Sequence, residues 1–211
     1  MKFFPSREDF HLLSIAHTVV PVWTEVLADM ETPVAAYMKL VGDEPGFLLE
    51  SVENGERWSR YSFVGRNPLA TLMLRDGVIT TTGEMPDGVV LDKGMLTAME
   101  SLLSIYKAPV MEELPPLQGG LMGFLGYDIV REVEHLPNTP RDDRKLPDAT
   151  ISVIGSLAAF DHWRQRVYML ESVPLIELNN IEIDAAYDAA IERIQEAVAD
   201  LTKPLSYVAV E

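Results

Sequence analysis

The segment FLLESVENGERWSRYSFVGRNP, residues 47–68, places polar side chains at the ends of two strand-like apolar runs. Residues 47–49 predict a short buried strand that ends in Glu50 and Ser51, where a core-facing sequence normally continues with another hydrophobic residue. An unpaired buried hydroxyl costs about 1–3 kcal/mol and an unpaired charge costs more, so both groups need partners. The carboxylate of Glu50 suits the ammonium group of a ligand.

A second strand-like run follows a turn predicted at Asn54-Gly55, a dipeptide that favours tight hairpin turns. This run begins with Arg60, Tyr61 and Ser62, so it brings a guanidinium, a phenol and a hydroxyl near the end of the first strand. Together with Glu50, these groups could hold an amino acid.

Composition excludes several classes of function. The 211 residues include 33 acidic and 17 basic side chains, and the formal net charge of −16 repels a phosphate backbone, so no nucleic-acid partner is expected. The chain has no cysteine, which rules out disulfides and thiolate metal sites. Without a signal-like segment or a long apolar stretch, we expect a cytoplasmic protein that makes no membrane contact. The length suffices for one or two domains.

Local patterns predict an α+β fold, mainly antiparallel sheet with packed helices. Alternation over residues 19–27 predicts a strand, and Pro21 assigns it to a sheet edge. A helix is predicted to follow, because Thr32 suits its N-cap and Pro33 its first position.

A hairpin and two amphipathic helices complete the regular pattern. Residues 69–74 and 78–82 predict the hairpin, because Asp76-Gly77 between them tolerates a type I′ turn. Apolar residues at helical spacing predict the two helices and their core faces. The first stripe comprises Leu96, Met99, Leu103 and Tyr106, and the second comprises Tyr187, Ile191, Ile194, Val198 and Leu201.

Strand-like runs over residues 149–160 and 166–171 predict another hairpin around Asp161-His162. We expect a charged or hydrogen-bonded structural role for His162 at its tip. The histidines are widely separated and lack the spacing of metal sites or catalytic triads. They are His11, His17, His135 and His162.

The glycine-rich run over residues 119–126 does not indicate a nucleotide site. Its spacing departs from GxGxxG and from the P-loop, and no Lys-Ser or Lys-Thr follows it. Glycine in a strand more often allows the close approach of another backbone or marks a bulge, and the apolar residues of 127–136 predict a helix after the run.

Three motifs together resemble anthranilate synthase component I. They are LLES followed by SRYSFVGRNP, GGLMGFLGYDIVREVEHLP at 119–137, and AAFDH at 158–162. The resemblance implies a part of a layered α/β/β/α architecture and a role in feedback inhibition by L-tryptophan. The implied tryptophan-binding residues are Leu49, Glu50, Ser51, Arg60, Tyr61 and Ser62.

The same resemblance divides the chain into an N-terminal regulatory domain, residues 1–203, and the start of a linker, residues 204–211. It implies that the chorismate-binding catalytic domain lies beyond this chain. We therefore expect no catalytic residue and no cofactor here, magnesium in the catalytic domain, and no turnover by this fragment alone. The implied partners are L-tryptophan, that catalytic domain and the glutamine amidotransferase subunit.

Two other functions stay open at the level of sequence. The N-terminal domain of aminodeoxychorismate synthase component I, from the folate pathway, shares this architecture, although the RYSFVG segment favours anthranilate synthase. A stand-alone amino-acid-binding module is the other alternative.

Overall fold

The computed structural model describes residues 1–27, 29–50, 60–138 and 141–205. In chain order, its elements are β1 (Phe3–Phe4), α1 (Arg7–Ser14), β2 (Val19–Leu27), α2 (Pro33–Leu40), β3 (Gly46–Glu50), β4 (Tyr61–Arg66), β5 (Ala70–Arg75), β6 (Val78–Gly83), α3 (Met95–Ile105), β7 (Leu121–Leu125), a 3-10 helix (Tyr127–Glu132), β8 (Ala149–Val153), β9 (Ser156–Asp161), β10 (Arg166–Pro174) and α4 (Asn180–Leu201). All strand pairs in these ranges are antiparallel, which confirms the predicted α+β class.

The described residues divide into two compact units. The first unit comprises the described residues within 1–67, 108–119 and 155–211. The second unit comprises those within 68–107 and 120–154. The division of the chain into a domain and a linker beginning at residue 204 stays a prediction, since most of that segment lies outside the described residues. No helix in the described ranges combines the length and apolar composition needed to span a bilayer.

The first unit contains a six-stranded sheet in the order β1-β2-β10-β9-β4-β3. β2 is second in this order, but its outer neighbour β1 has only two residues, so the predicted sheet edge is confirmed around Pro21. On its inner side, β2 pairs with β10 along its whole length. On the other side, β1 pairs only with Trp23 and Thr24. Pro21 is tolerated because it lies where β1 does not extend, so the missing N–H breaks no ladder bond to that strand.

Helices α1, α2 and α4 bury one face of this sheet. The Thr32 hydroxyl accepts a hydrogen bond from the backbone N–H of Ala35 at 3.1 Å, so the predicted N-cap of α2 is confirmed. Helix α4 begins with a reciprocal capping box between Asn179 and Glu182. Its predicted stripe is confirmed as core, with Tyr187, Ile194 and Leu201 buried and Ile191 and Val198 packed against them.

The second unit contains a four-stranded sheet in the order β6-β5-β8-β7. The predicted hairpin is confirmed, since Arg75 pairs with Val78 and two residues connect β5 to β6. Both connecting residues have positive φ, 51° at Asp76 and 75° at Gly77, as a type I′ turn requires.

Helix α3 packs against this second sheet through a face offset from the predicted one. Met95, Ala98 and Leu102 are fully buried, whereas the predicted Leu103 is 55% exposed. The helix was predicted correctly, and Leu96, Met99 and Tyr106 of the predicted stripe pack, partly buried, against this core. The prediction for Leu103 was wrong, because in a stretch this apolar the direction of the sheet decides which side is buried.

The glycine run forms β7 and then a short 3-10 helix rather than the longer predicted helix. A Cβ atom at Gly123 would lie 1.9 Å from the carbonyl oxygen of Thr150 on β8, so the expected close backbone approach is confirmed. The predicted single strand over residues 149–160 is divided at Ile154 and Gly155 into β8 and β9, which belong to different sheets.

Candidate functional site

The candidate site lies at one end of the six-stranded sheet, where β3 and β9 end and β4 and β10 begin. In the register of this sheet, Glu50 pairs with Ser62, and Tyr61 pairs with Asp161. The β3–β4 pairing confirms that residues 47–49 and the run from Arg60 form neighbouring strands. The prediction that residues 47–49 are buried was wrong, because β3 is an edge strand and Leu49 is 41% exposed. The predicted turn at Asn54-Gly55 lies outside the described residues.

Strand alternation separates the predicted ligand residues onto two faces. Leu48 and Val64 pack into the core beneath the helices, so Glu50 and Ser62, two positions away, are on that same face. Leu49 and Tyr61 occupy alternate positions and are therefore on the opposite face. Ser51 lies outside the described residues.

Ser62 is almost fully buried, with 2% of its surface exposed. Its Oγ lies 2.8 Å from Nε2 of His162, which extends beyond the end of β9. The hydroxyl is thus satisfied by a side chain 100 residues away in sequence, as the high cost of an unpaired buried hydroxyl requires.

Glu50 contrasts with its strand partner because its side chain is exposed at the end of the edge strand β3. No residue in the described ranges forms an ion pair with its carboxylate. A free carboxylate beside a fixed hydroxyl can accept hydrogen bonds from an ammonium group.

The guanidinium of Arg60 is held by protein groups. Its Nε donates to Oδ1 of Asp161 at 3.0 Å and its Nη2 to Oδ2 at 2.5 Å, a bidentate geometry. It also lies over the rings of Tyr61 and Trp163, at 4.7 and 5.0 Å from their centroids. The hydrogen bond with Asp161 outweighs burial and raises the pKa of Arg60 above its ordinary value.

Asp161 organises the turn between β9 and β10. Its Oδ1 accepts hydrogen bonds from the backbone N–H groups of Trp163 at 3.1 Å and Arg164 at 3.2 Å. Burial alone would raise the pKa of this carboxyl, but hydrogen bonds from Arg60 and from those two backbone groups outweigh it and lower the pKa. Asp161 is therefore an ionised anchor that joins the turn to the start of β4.

Two cavities flank this turn. One, of about 150 Å³, is lined by Phe160 and His162 together with the acidic side chains of Asp29 and Glu31. The other, of about 160 Å³, is lined by Arg60, Tyr61, Asp161, Arg164, Tyr168 and residues 112–115. Both lie within the first unit. Of the predicted ligand residues, Arg60 and Tyr61 line the second cavity, and none is among the residues that line the first.

The sequence pattern did not identify Asp161 as part of this site. The hydrogen-bonded role predicted for His162 is confirmed by its contact with Ser62. The available signal was the AAFDH motif, which places both residues at the end of a strand. Nothing local in that motif identifies Arg60 and Ser62 as their partners. Among the described residues, no three histidine or acidic side chains cluster in a way that could hold a metal ion.

Comparisons with known proteins agree with the resemblance found in the sequence. No protein-family profile matches the chain. Anthranilate synthase component 1 of Mycolicibacterium smegmatis is 41% identical over 202 residues, which cover 95% of this chain and 38% of that protein. The protein of the same name from Acetivibrio thermocellus is 30% identical over 92% of this chain.

A solved structure supports the same relationship. The crystal structure of anthranilate synthase component I from Streptococcus pneumoniae TIGR4 superimposes with a TM-score of 0.54 and 25% identity, covering 85% of this chain and 37% of that one. The chain spans about two fifths of the length of the curated relatives it matches. Sequence and fold together place the chain in the anthranilate synthase component I family, as the homologue of a part of such proteins.

Proposed function

We propose that this chain is the regulatory part of an anthranilate synthase component I and that it binds L-tryptophan at the ends of β3 and β4. The observation that carries the proposal is that Glu50 pairs with Ser62 on one face of the sheet. Among the described residues, no cationic side chain forms an ion pair with the Glu50 carboxylate. The names of the homologues support the choice of enzyme.

In this proposal Glu50 accepts hydrogen bonds from the ammonium group of tryptophan, and Ser51 and Ser62 provide hydroxyls for its polar end. Arg60 and Tyr61 take part from the opposite side of the strand, where Asp161 already orients the guanidinium. Leu49 supplies apolar contact near the same end of the sheet.

The rest of the polypeptide is proposed to convert chorismate and ammonia derived from glutamine into anthranilate and pyruvate. That part would hold magnesium, and a glutamine amidotransferase subunit would deliver the ammonia. The proposal assigns this chain no catalytic residue, and locates the protein in the cytoplasm, as the lack of cysteine favours. This chain alone is expected to produce no anthranilate from chorismate and ammonia.

Inhibition then depends on a coupling free energy between the tryptophan site and the catalytic site, typically about 1–3 kcal/mol. Tryptophan must bind one arrangement of the protein more tightly than another, since equal affinity for both would shift no population. Residues at strand ends suit this role, because they can change their contacts with a bound ligand without disrupting the core of the sheet.

The direct test is calorimetric titration of the full-length protein with L-tryptophan, with anthranilate formation measured in parallel. Replacing Glu50 by Gln should weaken tryptophan binding about tenfold or more, because a hydrogen bond to a charged group is lost. The turnover of chorismate should stay the same. Glu44→Gln, an exposed carboxylate before β3, serves as the matched control and should leave the affinity unchanged.

Two results would contradict the proposal. One is a full-length protein that neither binds nor responds to tryptophan, and the other is anthranilate formation by this chain alone. Ser51→Phe tests the neighbouring position, because a bulky ring there should relieve inhibition while sparing catalysis. An unchanged inhibition constant in that variant would remove Ser51 from the site.

A further inference from the structure

The Ser62 hydroxyl needs a defined direction if it is to recognise a ligand group. A serine hydroxyl can rotate and can either donate or accept, so by itself it favours no particular partner. Here it is buried and lies 2.8 Å from Nε2 of His162, and this hydrogen bond limits the rotation.

His162 is itself held from two directions. Its backbone N–H donates to the carbonyl oxygen of Arg60 at 2.9 Å, which extends the β4–β9 pairing by one residue. Its ring stacks on that of Phe160, with centroids 6.3 Å apart and planes inclined by 22°. Asp161, the preceding residue, is hydrogen-bonded to Arg60 and to the backbone of Trp163, so the backbone from which the imidazole extends is held in place.

Glu50, Ser62 and His162 therefore form a row across three adjacent strands. Glu50 and Ser62 are direct partners, and His162 is diagonal to Ser62, a separation that long side chains can bridge. The imidazole occupies one hydrogen-bonding position of the hydroxyl on the β9 side. Among the described residues, the hydroxyl has no other hydrogen-bond partner, and its strand partner on the β3 side is Glu50.

We propose that His162 is a positioning residue of the amino-acid site, which acts by fixing the direction of the Ser62 hydroxyl. This inference rests on the proposed function, since it concerns the same tryptophan site. It assigns His162 no contact with chorismate, so its removal changes inhibition and leaves catalysis intact. Preorganised ligand groups of this kind depend on such supporting side chains.

The test uses the full-length protein, with the tryptophan concentration for half inhibition measured beside kcat and KM for chorismate. His162→Phe keeps the ring that stacks on Phe160 and removes the nitrogen. It should raise the half-inhibitory concentration about 3- to 10-fold, the effect of one lost hydrogen bond, with kcat and KM unchanged. His162→Gln, whose amide nitrogen can replace Nε2, should restore most of the inhibition.

A double-mutant comparison separates positioning from a general structural role. If His162 acts through the hydroxyl, then His162→Phe should have no further effect on inhibition in a Ser62→Ala background. His17→Phe is the control, because among the described residues the hydrogen-bond partner of the His17 ring is a backbone oxygen, Leu13 O at 3.0 Å, at the end of α1. If His162→Phe fails to fold, His162→Asn, which is too short to reach Ser62, replaces it.

The outcomes distinguish the two proposals. An unsubstituted protein that tryptophan does not inhibit overturns the proposed function and the role of His162 with it. An inhibited unsubstituted protein with equal inhibition in His162→Phe, or additive effects of the two substitutions, overturns the role of His162 alone. A parallel change in kcat or KM also overturns it.

Discussion

The hairpins β5–β6 and β9–β10 are closed by turns of different origin. Asp76 and Gly77 close the first through backbone conformations that these residue types adopt readily. The second spans four residues from His162 to Gln165, and the carboxylate of Asp161 holds it. That carboxylate also binds Arg60, 101 residues away.

This difference separates a turn that forms locally from one that depends on the completed fold. The Asp76-Gly77 turn needs no distant partner, so it serves to connect two strands. The turn after Asp161 meets the start of β4 through Arg60 and Ser62, so its geometry is linked to the candidate ligand site. Four experiments test that contrast, in order of decreasing effect.

Asp161→Ala should have the largest effect on the second hairpin. It leaves the backbone N–H groups of Trp163 and Arg164 without their acceptor and removes the partner of Arg60. We expect the free energy of unfolding to fall by about 2–4 kcal/mol, measured by urea denaturation with tryptophan fluorescence.

The matched control is Asp142→Ala. The Asp142 carboxylate also accepts from two backbone N–H groups, those of Arg144 at 3.1 Å and Lys145 at 2.9 Å, but in an exposed loop. Its loss should cost less than about 0.5 kcal/mol. Equal losses in the two variants would show that the distant partner of Asp161 adds nothing.

Gly77→Val tests the first hairpin. A β-branched residue at φ 75° is strained, and we expect a loss of about 1–2 kcal/mol by the same measurement. Apart from the glycine and its two neighbours, no atom of the described residues lies within 4 Å of the Cβ position, so the cost comes from the backbone alone. Gly77→Asn should be nearly neutral, since asparagine tolerates this conformation; a large loss there would contradict a purely local turn.

Tryptophan inhibition should respond to the second hairpin and not to the first. Asp161→Asn weakens the anchor next to His162, and in the full-length enzyme we expect a several-fold rise in the half-inhibitory tryptophan concentration, equivalent to about 1 kcal/mol. Gly77→Val serves as the comparison and should leave inhibition unchanged. A similar rise in both variants would mean that inhibition follows overall stability.

The smallest expected effect is the change in the free energy of unfolding when the pH is lowered. Because the pKa of Asp161 is lowered by folding, its ionised form stabilises the native state above the unfolded value of about 3.9. That contribution is lost as the pH falls through the lower folded pKa. The stability difference between the unsubstituted chain and Asp161→Asn, from urea denaturation at several pH values, should therefore be constant above about pH 5 and shrink below pH 4. A difference that grows in acid would have the wrong sign.

Local structure followed from the sequence wherever neighbouring residues determine it. The Asp76-Gly77 turn, the Thr32 N-cap and the core face of α4 were predicted, because each depends on conformational preference or periodicity within one segment. The close approach at Gly123 was predicted for the same reason, since only glycine admits the carbonyl of Thr150 there.

The errors arose where a distant strand decides the outcome. Pro21 indicated an edge for the whole of β2, but the two-residue strand β1 covers that edge at Trp23 and Thr24. The run from Ala149 to Phe160 showed no break in hydrophobicity, yet its two halves pair in different sheets.

The strands around the candidate site were predicted. The runs over residues 47–49 and 60–64 correctly indicated neighbouring strands, with Glu50 at the end of β3 and Ser62 near the start of β4. The engagement of Arg60 by Asp161 could not be predicted, because ion pairs between distant segments leave no local pattern. Ligand contact by the six named residues stays a prediction.

The order of residues alone determined the strands, their turns and caps, and kinship with anthranilate synthase component I, because these depend on short segments and on motifs. Only the tertiary structure decided that β4 lies between β3 and β9, and hence that Ser62 meets His162 and Arg60 meets Asp161. Those contacts join residues about 100 positions apart, and the free energy that selects them comes from the packing of whole sheets and helices.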